Sequence, residues 1–316
     1  MVRIAFFGTP EFAVPTLVAL IESPCEVVTV ITQPDRPRGR GQRPSASPIK
    51  ILALGNNIPV LTPEALNDPV FLNQMLTLQL ELGVVVAYGK LVPDNLLEIP
   101  THGFVNLHAS LLPAYRGAAP IQRTVLDGNE VTGVTLIRMN SKLDSGPVLA
   151  QAQQAIRPTD TASELASALA SLGASLLRDN LGNIGSGTLV ETPQDNSVAT
   201  YAPRLTKSDG RIDWKSNAHT IHNQVRAMHP WPQAFTYLGG VRYAIHRTAV
   251  IEHPSKGRPG EILETEGNRL IVASGGSTTL EILEIQPSGR RVMEVKSFLA
   301  GNPVTVGSAF ESPTKI

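Results

Sequence analysis

Phe104-Val-Asn-Leu-His108, running into Ala109-Ser-Leu-Leu-Pro113, is a short apolar stretch closed by a proline turn. It has the length and flanks of a buried strand and not of a helix. Three earlier runs read the same way: Val2–Phe7, Val27–Thr32 and Gly83–Ala87. The stretches between them are long enough for crossover helices, so the alternation predicts a parallel, doubly wound α/β sheet. Asn106 and His108 stand at i and i+2, and an extended backbone turns both to one face. In open α/β sheets ligands bind beyond the carboxyl ends of strands, which places this pair where chemistry is expected. Asp144, in Lys142-Leu-Asp-Ser-Gly146, falls in a loop between strands expected at Thr132–Met139 and Val148–Ala152 and can reach the same rim.

Further along, Thr161-Ala-Ser-Glu164 is a capping box that opens a helix over Leu165–Leu181. From Gly182 to about Lys207 the chain turns to Gly, Ser, Thr, Pro and Asn without helical period, the composition of a partly extended linker. Beyond it come a helix at Ser216–Met228 and short strands near Ala234–Leu238, Val241–Val250, Gly260–Leu263, Arg269–Ala273 and Thr278–Gln286. Leu238-Gly-Gly-Val241 and Ser274-Gly-Gly-Ser277 are tight-turn signals, and a small barrel closes such strands most simply.

The 316 residues suit two domains, and 42% hydrophobic with 17% charged residues are globular values. No apolar run is long enough to cross a bilayer, and nothing at the N-terminus reads as a leader, so a cytoplasmic location is expected. One cysteine, Cys25, excludes an internal disulfide and is expected to be buried beside Val27–Ile31. Net charge is zero, yet residues 1–206 hold 14 Lys/Arg against 17 Asp/Glu, and residues 207–316 hold 13 against 10. Thr32–Lys50 is more basic still, with Arg36, Arg38, Arg40, Arg43 and Lys50 facing only Asp35. A basic Pro/Gly-rich loop on an acidic domain is either a solvated lid or the contact for an anionic partner. Gly8-Thr-Pro10 follows the first strand, but neither G-x-G-x-x-G nor a P-loop does, so dinucleotide and nucleoside triphosphate chemistry is unsupported. His219 and His222 share a helix face, but nothing nearby completes a metal site.

An amide, an imidazole and a carboxylate without a Ser or Cys nucleophile suit direct acyl transfer to an amine carried by the substrate. Asn106 Nδ2 and the His108 ring supply hydrogen bonds to a carbonyl oxygen as its charge grows. Asp144 orients His108 and receives, directly or through a water, the proton that the amine loses. Spacing alone leaves a structural reading open, because Asn-x-His is a short pattern that recurs by chance.

The longer stretch Phe104-Val-Asn-Leu-His-Ala-Ser-Leu-Leu-Pro-Ala-Tyr-Arg-Gly-Ala-Ala-Pro120, with Gly133-Val-Thr-Leu136 and Leu143-Asp-Ser-Gly146, resembles the signature of folate-dependent formyltransferases. The resemblance implies that Asn106, His108 and Asp144 are catalytic. It implies that Ser110, Leu111, Leu112 and Pro113 line the site of a 10-formyltetrahydrofolate co-substrate, and that the Val86, Tyr88 and Gly89 loop lies beside its pterin. An ordinary strand-to-helix turn is the plainer reading of Ser110–Pro113. The implied architecture is a Rossmann-like formyltransferase domain at 1–189, a linker at 190–206 and an OB-like β-barrel domain that binds tRNA at 207–316.

Three branches of the family share this core and act on glycinamide ribonucleotide, on sugar nucleotides or on methionyl-tRNA. Thr32-Gln-Pro-Asp-Arg-Pro-Arg-Gly-Arg-Gly41 with Ser47-Pro-Ile-Lys50 resembles the insertion with which the last branch enters the acceptor stem. That implies tRNA contacts by Arg36, Arg38, Arg40 and Arg43, Arg40 foremost, and initiator methionyl-tRNA as the partner of a monomer. Arg211-Ile-Asp-Trp214 and His229-Pro-Trp-Pro232 resemble the second domain but occur in the sugar-nucleotide branch too; their His and Trp side chains are expected in core and turns. The competing readings are a sugar-nucleotide N-formyltransferase and a non-enzymatic RNA-binding module.

Overall fold

The computed structural model describes residues 1–38 and 43–312. They form two compact units. The first takes Met1–Pro120, Val131–Ala155 and Ala166–Pro203, and the second takes Ile121–Glu130, Ile156–Leu165 and the chain from Arg204. Residues 190–203, a linker by composition, therefore belong to the body of the first unit.

The strands of the first unit are β1 (Arg3–Gly8), β2 (Glu26–Ile31), β3 (Arg36–Arg38), β4 (Arg43–Ser45), β5 (Val60–Leu61), β6 (Leu82–Val86), β7 (Phe104–His108), β8 (Arg116–Gly117), β9 (Val131–Arg138), β10 (Val148–Ala155) and β11 (Tyr201–Ala202). Seven of them make one sheet in the order β10-β9-β7-β6-β1-β2-β5. The five from β7 to β5 run parallel. The four runs read as strands of a parallel sheet are parallel as expected, and the strands that follow extend the sheet in the other sense, β9 running antiparallel to β7 and β10 to β9. Strand direction follows from the connections, which apolar periodicity does not encode.

Helices α1 (Val14–Ile21), α2 (Pro48–Gly55) and α3 (Pro69–Thr77) open on local chemistry: α2 and α3 each carry proline in the first turn, and Ser47 and Asp68 accept backbone N–H groups as caps. After α4 (Asp94–Leu97) and α5 (Pro120–Leu126), α6 runs over Ala162–Gly185. Its capping box forms as read: Thr161 N–H donates to Glu164 Oε2 at 2.9 Å, and Glu164 N–H to Thr161 Oγ1 at 3.3 Å. The sheet core is aromatic, with Phe7 meeting Tyr88 and Phe104 edge-on at centroid distances of 5.5 and 5.3 Å. Cys25, expected to be buried, is only partly so.

From β1 the chain winds one way to β2 and β5, then returns to the other side of β1 with β6 and β7. The winding reverses between β1 and β6, where a crevice forms at the carboxyl ends of the strands. Gly8 and Val86 are paired there.

In the second unit, α7 (Ala218–Ala227) precedes β12 (Phe235–Leu238), β13 (Val241–Ile251), β14 (Ile262–Glu264), β15 (Leu270–Ser274), β16 (Thr278–Pro287), β17 (Met293–Glu294) and α8 (Val295–Gly301). The antiparallel order is β12-β13-β16-β15-β14, with β17 on β16, a sheet curled into a half-barrel. Its two edges are joined by the C-terminal segment, which bridges Tyr237 through Glu311 and Glu261 through Ala309. Phe310, between the two bridges, stacks on Trp214 at 5.5 Å. Gly239 and Gly240 both take positive φ, 57° and 75°, as a two-residue hairpin requires. In the other turn the positive angles fall on Gly276 and Ser277, whereas a Cβ on Gly275 would stand 1.7 Å from the Lys215 carbonyl. Trp214 is in the core and Trp231, 51% exposed, is in the turn before β12, the two settings expected of them.

Candidate active site

β7 carries the site. Leu107, on the face opposite Asn106 and His108, is buried against α6, where a Cβ on Gly173 would stand 2.3 Å from its Cδ2. Only glycine lets the helix lie so close, and the strand is held firmly beneath its two polar residues.

His108 is buried, and its Nε2 lies 2.9 Å from the Tyr115 carbonyl oxygen. A carbonyl can only accept, so the neutral ring keeps its proton on Nε2. Nδ1 then faces Asp144 Oδ2 at 3.6 Å and is the nitrogen at which a proton can be taken or released. Asn106 Nδ2 donates to Asp144 Oδ1 at 3.4 Å across 38 residues of sequence, and Gly117 N–H donates to Oδ2 at 2.8 Å. The three sequence candidates are thus brought together, with one carboxylate facing both the amide and the imidazole.

Asp144 holds a φ of +48°. A non-glycine residue in that region costs about 1–3 kcal/mol and persists only where its surroundings dictate it. Those surroundings come largely from residues 192–202. Thr192 bridges Val148, and Gln194 Nε2 donates to the carbonyls of Asp144 and Gly146 at 2.9 and 2.7 Å. Gln194 Oε1 accepts from Arg116 Nε and Nη2 at 3.1 and 2.7 Å, and Asn196 Oδ1 from Arg116 Nη2 at 2.9 Å. Thr200 receives Tyr115 N–H on its hydroxyl and Arg116 N–H on its carbonyl, and β11 pairs with β8. Sequence reading missed this strap. Arg116 lies inside the quoted motif, but side-chain amides bonded to a distant backbone leave no periodic signal.

Ser110–Pro113 is fixed from β9. Thr135 Oγ1 donates to the Ser110 carbonyl at 2.6 Å and accepts from Leu112 N–H at 3.0 Å and Gln151 Nε2 at 2.9 Å. Ser110 Oγ donates to the Ala114 carbonyl at 2.6 Å. The Leu112–Pro113 bond is cis, and Leu111 and Pro113 are the partly exposed members of the segment.

At the crevice, the side chains of Val86 and Tyr88 turn into the core. The Tyr88 hydroxyl has no hydrogen-bond partner among the described residues, and burial pushes it up to about 12. Its carbonyl receives Gln33 Nε2 at 2.8 Å and Thr9 Oγ1 at 3.3 Å, and Gly89 follows at a φ of +85°. What this loop turns outward is Ala87 and Gly89. Arg40 lies outside the described residues; of the other three arginines, Arg36 and Arg38 stand on β3 and Arg43 on β4, with Arg38 paired to Arg43.

The second unit has its own polar cavity, about 840 Å³, lined by Arg157, Asp160, His222, Arg226, His229 and His246 among others. His222 is bonded at both nitrogens, to Thr248 Oγ1 at 2.9 Å and the Pro158 carbonyl at 3.1 Å. Arg226 donates to the Asp160 carbonyl at 2.9 Å and Asn223 Oδ1 at 2.7 Å. Arg157 and Asp160 form an ion pair at 2.8 Å. No group of three metal-ligating side chains occurs among the described residues.

The sequence profile of the formyl transferase family matches residues 2–181, and that of the formyl transferase C-terminal domain matches residues 204–303. The chain is 44% identical over 306 residues to the methionyl-tRNA formyltransferase of Alkaliphilus oremlandii, covering 97% of this chain and 98% of that one. With its counterpart from Caldanaerobacter subterraneus it shares 43% over 307 residues, 97% and 99% of the two chains. Among solved structures, an N-formyltransferase from Helicobacter canadensis, in complex with folinic acid and dTDP-3-aminofucose, superposes with a TM-score of 0.68 at 20% identity, covering 91% of this chain and 100% of that one. HypX from Aquifex aeolicus in complex with tetrahydrofolic acid gives 0.62 at 15% identity, over 94% of this chain and 46% of that one. At such identities the two structures share the fold.

Proposed function

The chain belongs to the formyl transferase family, and we propose that it moves a formyl group from 10-formyltetrahydrofolate to the amino group of methionyl initiator tRNA, giving the formylmethionyl-tRNA that starts translation in the cytoplasm. The observation that carries the chemistry is His108 Nδ1 facing Asp144 Oδ2 at 3.6 Å beside the Asn106 amide, at the rim where the sheet presents ligands. The choice of acceptor rests on identity: 44% over nearly the full length to a methionyl-tRNA enzyme, against 20% to a sugar-nucleotide one.

When bound, the folate supplies the carbonyl carbon. Asn106 Nδ2 and His108 Nδ1, once protonated, offer N–H donors to the carbonyl oxygen as its charge grows, in a setting already ordered before reaction. Asp144 holds His108 and takes the amine's proton, directly or through a water. Meanwhile the new amide C–N bond forms, the bond from the formyl carbon to its folate nitrogen breaks, and that nitrogen takes up a proton as tetrahydrofolate leaves. The residues suited to the folate are Ser110–Pro113, whose backbone Thr135 fixes, and the Ala87–Gly89 backbone at the crevice, which leaves room for a flat ring because Val86 and Tyr88 point inward. The basic segment with Arg36, Arg38, Arg40 and Arg43 and the mildly basic 207–316 region are the surfaces offered to tRNA phosphates.

The protein, 10-formyltetrahydrofolate and methionylated initiator tRNA together should yield formylmethionine by mass; formylation of an amino-sugar nucleotide and not of the tRNA would reject the reading. Arg40→Leu sharpens it: kcat/KM for the tRNA should fall about 10- to 100-fold, the worth of one charge-assisted contact, with folate KM unchanged. Arg40→Lys should recover only part, since it keeps the charge and loses the planar fork.

A further inference from the structure

Besides its contact with Asn106 Nδ2, Asp144 is gripped at two points. Gly117 N–H holds its carboxylate at 2.8 Å, and Gln194 Nε2 holds its backbone carbonyl at 2.9 Å. Both grips lead back to one place: Gln194 Oε1 accepts from the guanidinium of Arg116, the residue before Gly117. Arg116 is only 3% exposed and meets amide oxygens at Gln194 and Asn196. A Cβ on Gly117 would stand 2.8 Å from the Ala202 carbonyl and one on Gly146 1.8 Å from that of Arg138, so the backbone around Asp144 is packed without slack. Gln194 is the member of this set that touches the Asp144 loop at one end and the buried arginine at the other.

We propose that Gln194 is a positioning residue for formyl transfer. Its amide holds Asp144 in the left-handed backbone conformation, φ +48°, that turns the carboxylate toward His108. Without the two N–H donors the Asp144 and Gly146 carbonyls lose their partner, Asp144 relaxes toward ordinary backbone angles, and the carboxylate leaves His108 Nδ1. This rests on the catalytic reading of Asp144 given above.

Gln194→Glu separates positioning from folding. Glutamate keeps the size of the side chain and an oxygen for Arg116, but it cannot donate to either carbonyl. The expected result is a fall in kcat of about 10- to 100-fold, the scale of an ångström misplacement at a reacting group, with KM for folate and tRNA within about threefold and thermal stability retained. The decisive readout is the double mutant. Placed in an Asp144→Asn background, Gln194→Glu should cost less than about twofold further, because its effect passes through the missing carboxylate. Wild-type kcat in Gln194→Glu, or the same loss with and without the Asp144 carboxylate, overturns the proposal while leaving the catalytic reading in place. Full activity in a folded Asp144→Asn protein overturns that reading and the proposal with it.

Discussion

Among the described residues, histidine, carboxylate and arginine gather both at the rim of β7 and in the cavity of the second unit, and the two places differ in how those groups are tied. In the cavity of the second unit, His222 has both nitrogens bonded to the chain's own oxygens, and Asp160 is closed off by Arg157. At the rim of β7, His108 is tied at Nε2 alone, while Nδ1 and a carboxylate look at each other across 3.6 Å, just beyond hydrogen-bond length. Residue types do not separate the two clusters, and unpaired atoms do not either, since His229 Nδ1 and Arg226 Nε in the cavity have no hydrogen-bond partner among the described residues. What separates them is an imidazole nitrogen and a carboxylate oxygen left facing each other at the rim of β7. The cluster at the rim of β7 is further distinguished by strain, for Asp144 is held at a positive φ of 48° that Asp160 does not share.

The largest test of this contrast is His108→Ala, expected to lower kcat by about 10²–10³ with little change in folate binding, measured by steady-state formylation and folate titration. Near-normal turnover would dissolve the difference between the clusters. His222→Ala should do the reverse: kcat within about twofold, and a melting temperature lower by a few degrees, since Thr248 Oγ1 and the Pro158 carbonyl each lose a bond worth about 1 kcal/mol. A tenfold drop in kcat there would show that the second cluster also serves the reaction.

The smallest effect is in pH dependence. Burial pushes His222 and His246 below the ordinary histidine value of 6.5, despite hydrogen bonds that favour the charged ring. The unfolded chain accepts protons that the folded one resists, so this share of stability is intact above about pH 6.5 and is lost as pH falls toward the folded values. Melting temperature should therefore decline between pH 7.5 and 5.5, and less steeply in His222→Ala. An unchanged slope would mean that His222 binds its proton equally well in the folded and the unfolded chain.

Much of this was legible. Apolar runs found six of the seven strands of the main sheet and five of the six in the second unit, most of them within a residue or two, and missed the two-residue β5 and β17. The i, i+2 spacing of Asn106 and His108 found the face that meets Asp144. Asp144 was placed near the rim by its loop between two expected strands and singled out by the longer motif, although its contact with Asn106 spans 38 residues and leaves no local signal. Residues 190–203 read as linker because their work is done by backbone groups and side-chain amides, in a composition shared with true linkers. Tyr88 is matched in the sequence to a ligand loop, yet its ring is core: sequence shows that a loop is present, and the alternation of inward and outward residues in an irregular segment is decided by packing. The antiparallel edge formed by β9 and β10 was hidden for a related reason, as a strand's pattern is the same in either direction.

The half-barrel is completed by residues that follow every strand they join: Ala309 reaches Glu261 and Glu311 reaches Tyr237. On a ribosome the chain emerges from its N-terminal side, so β12 and the β14 edge wait as open templates for pairing until the 307–311 segment is free. The first unit meanwhile has every strand of its sheet. The sheet of the first unit is therefore complete within residues 3–155, whereas the second unit's sheet edges at Tyr237 and Glu261 are paired only by the last residues described.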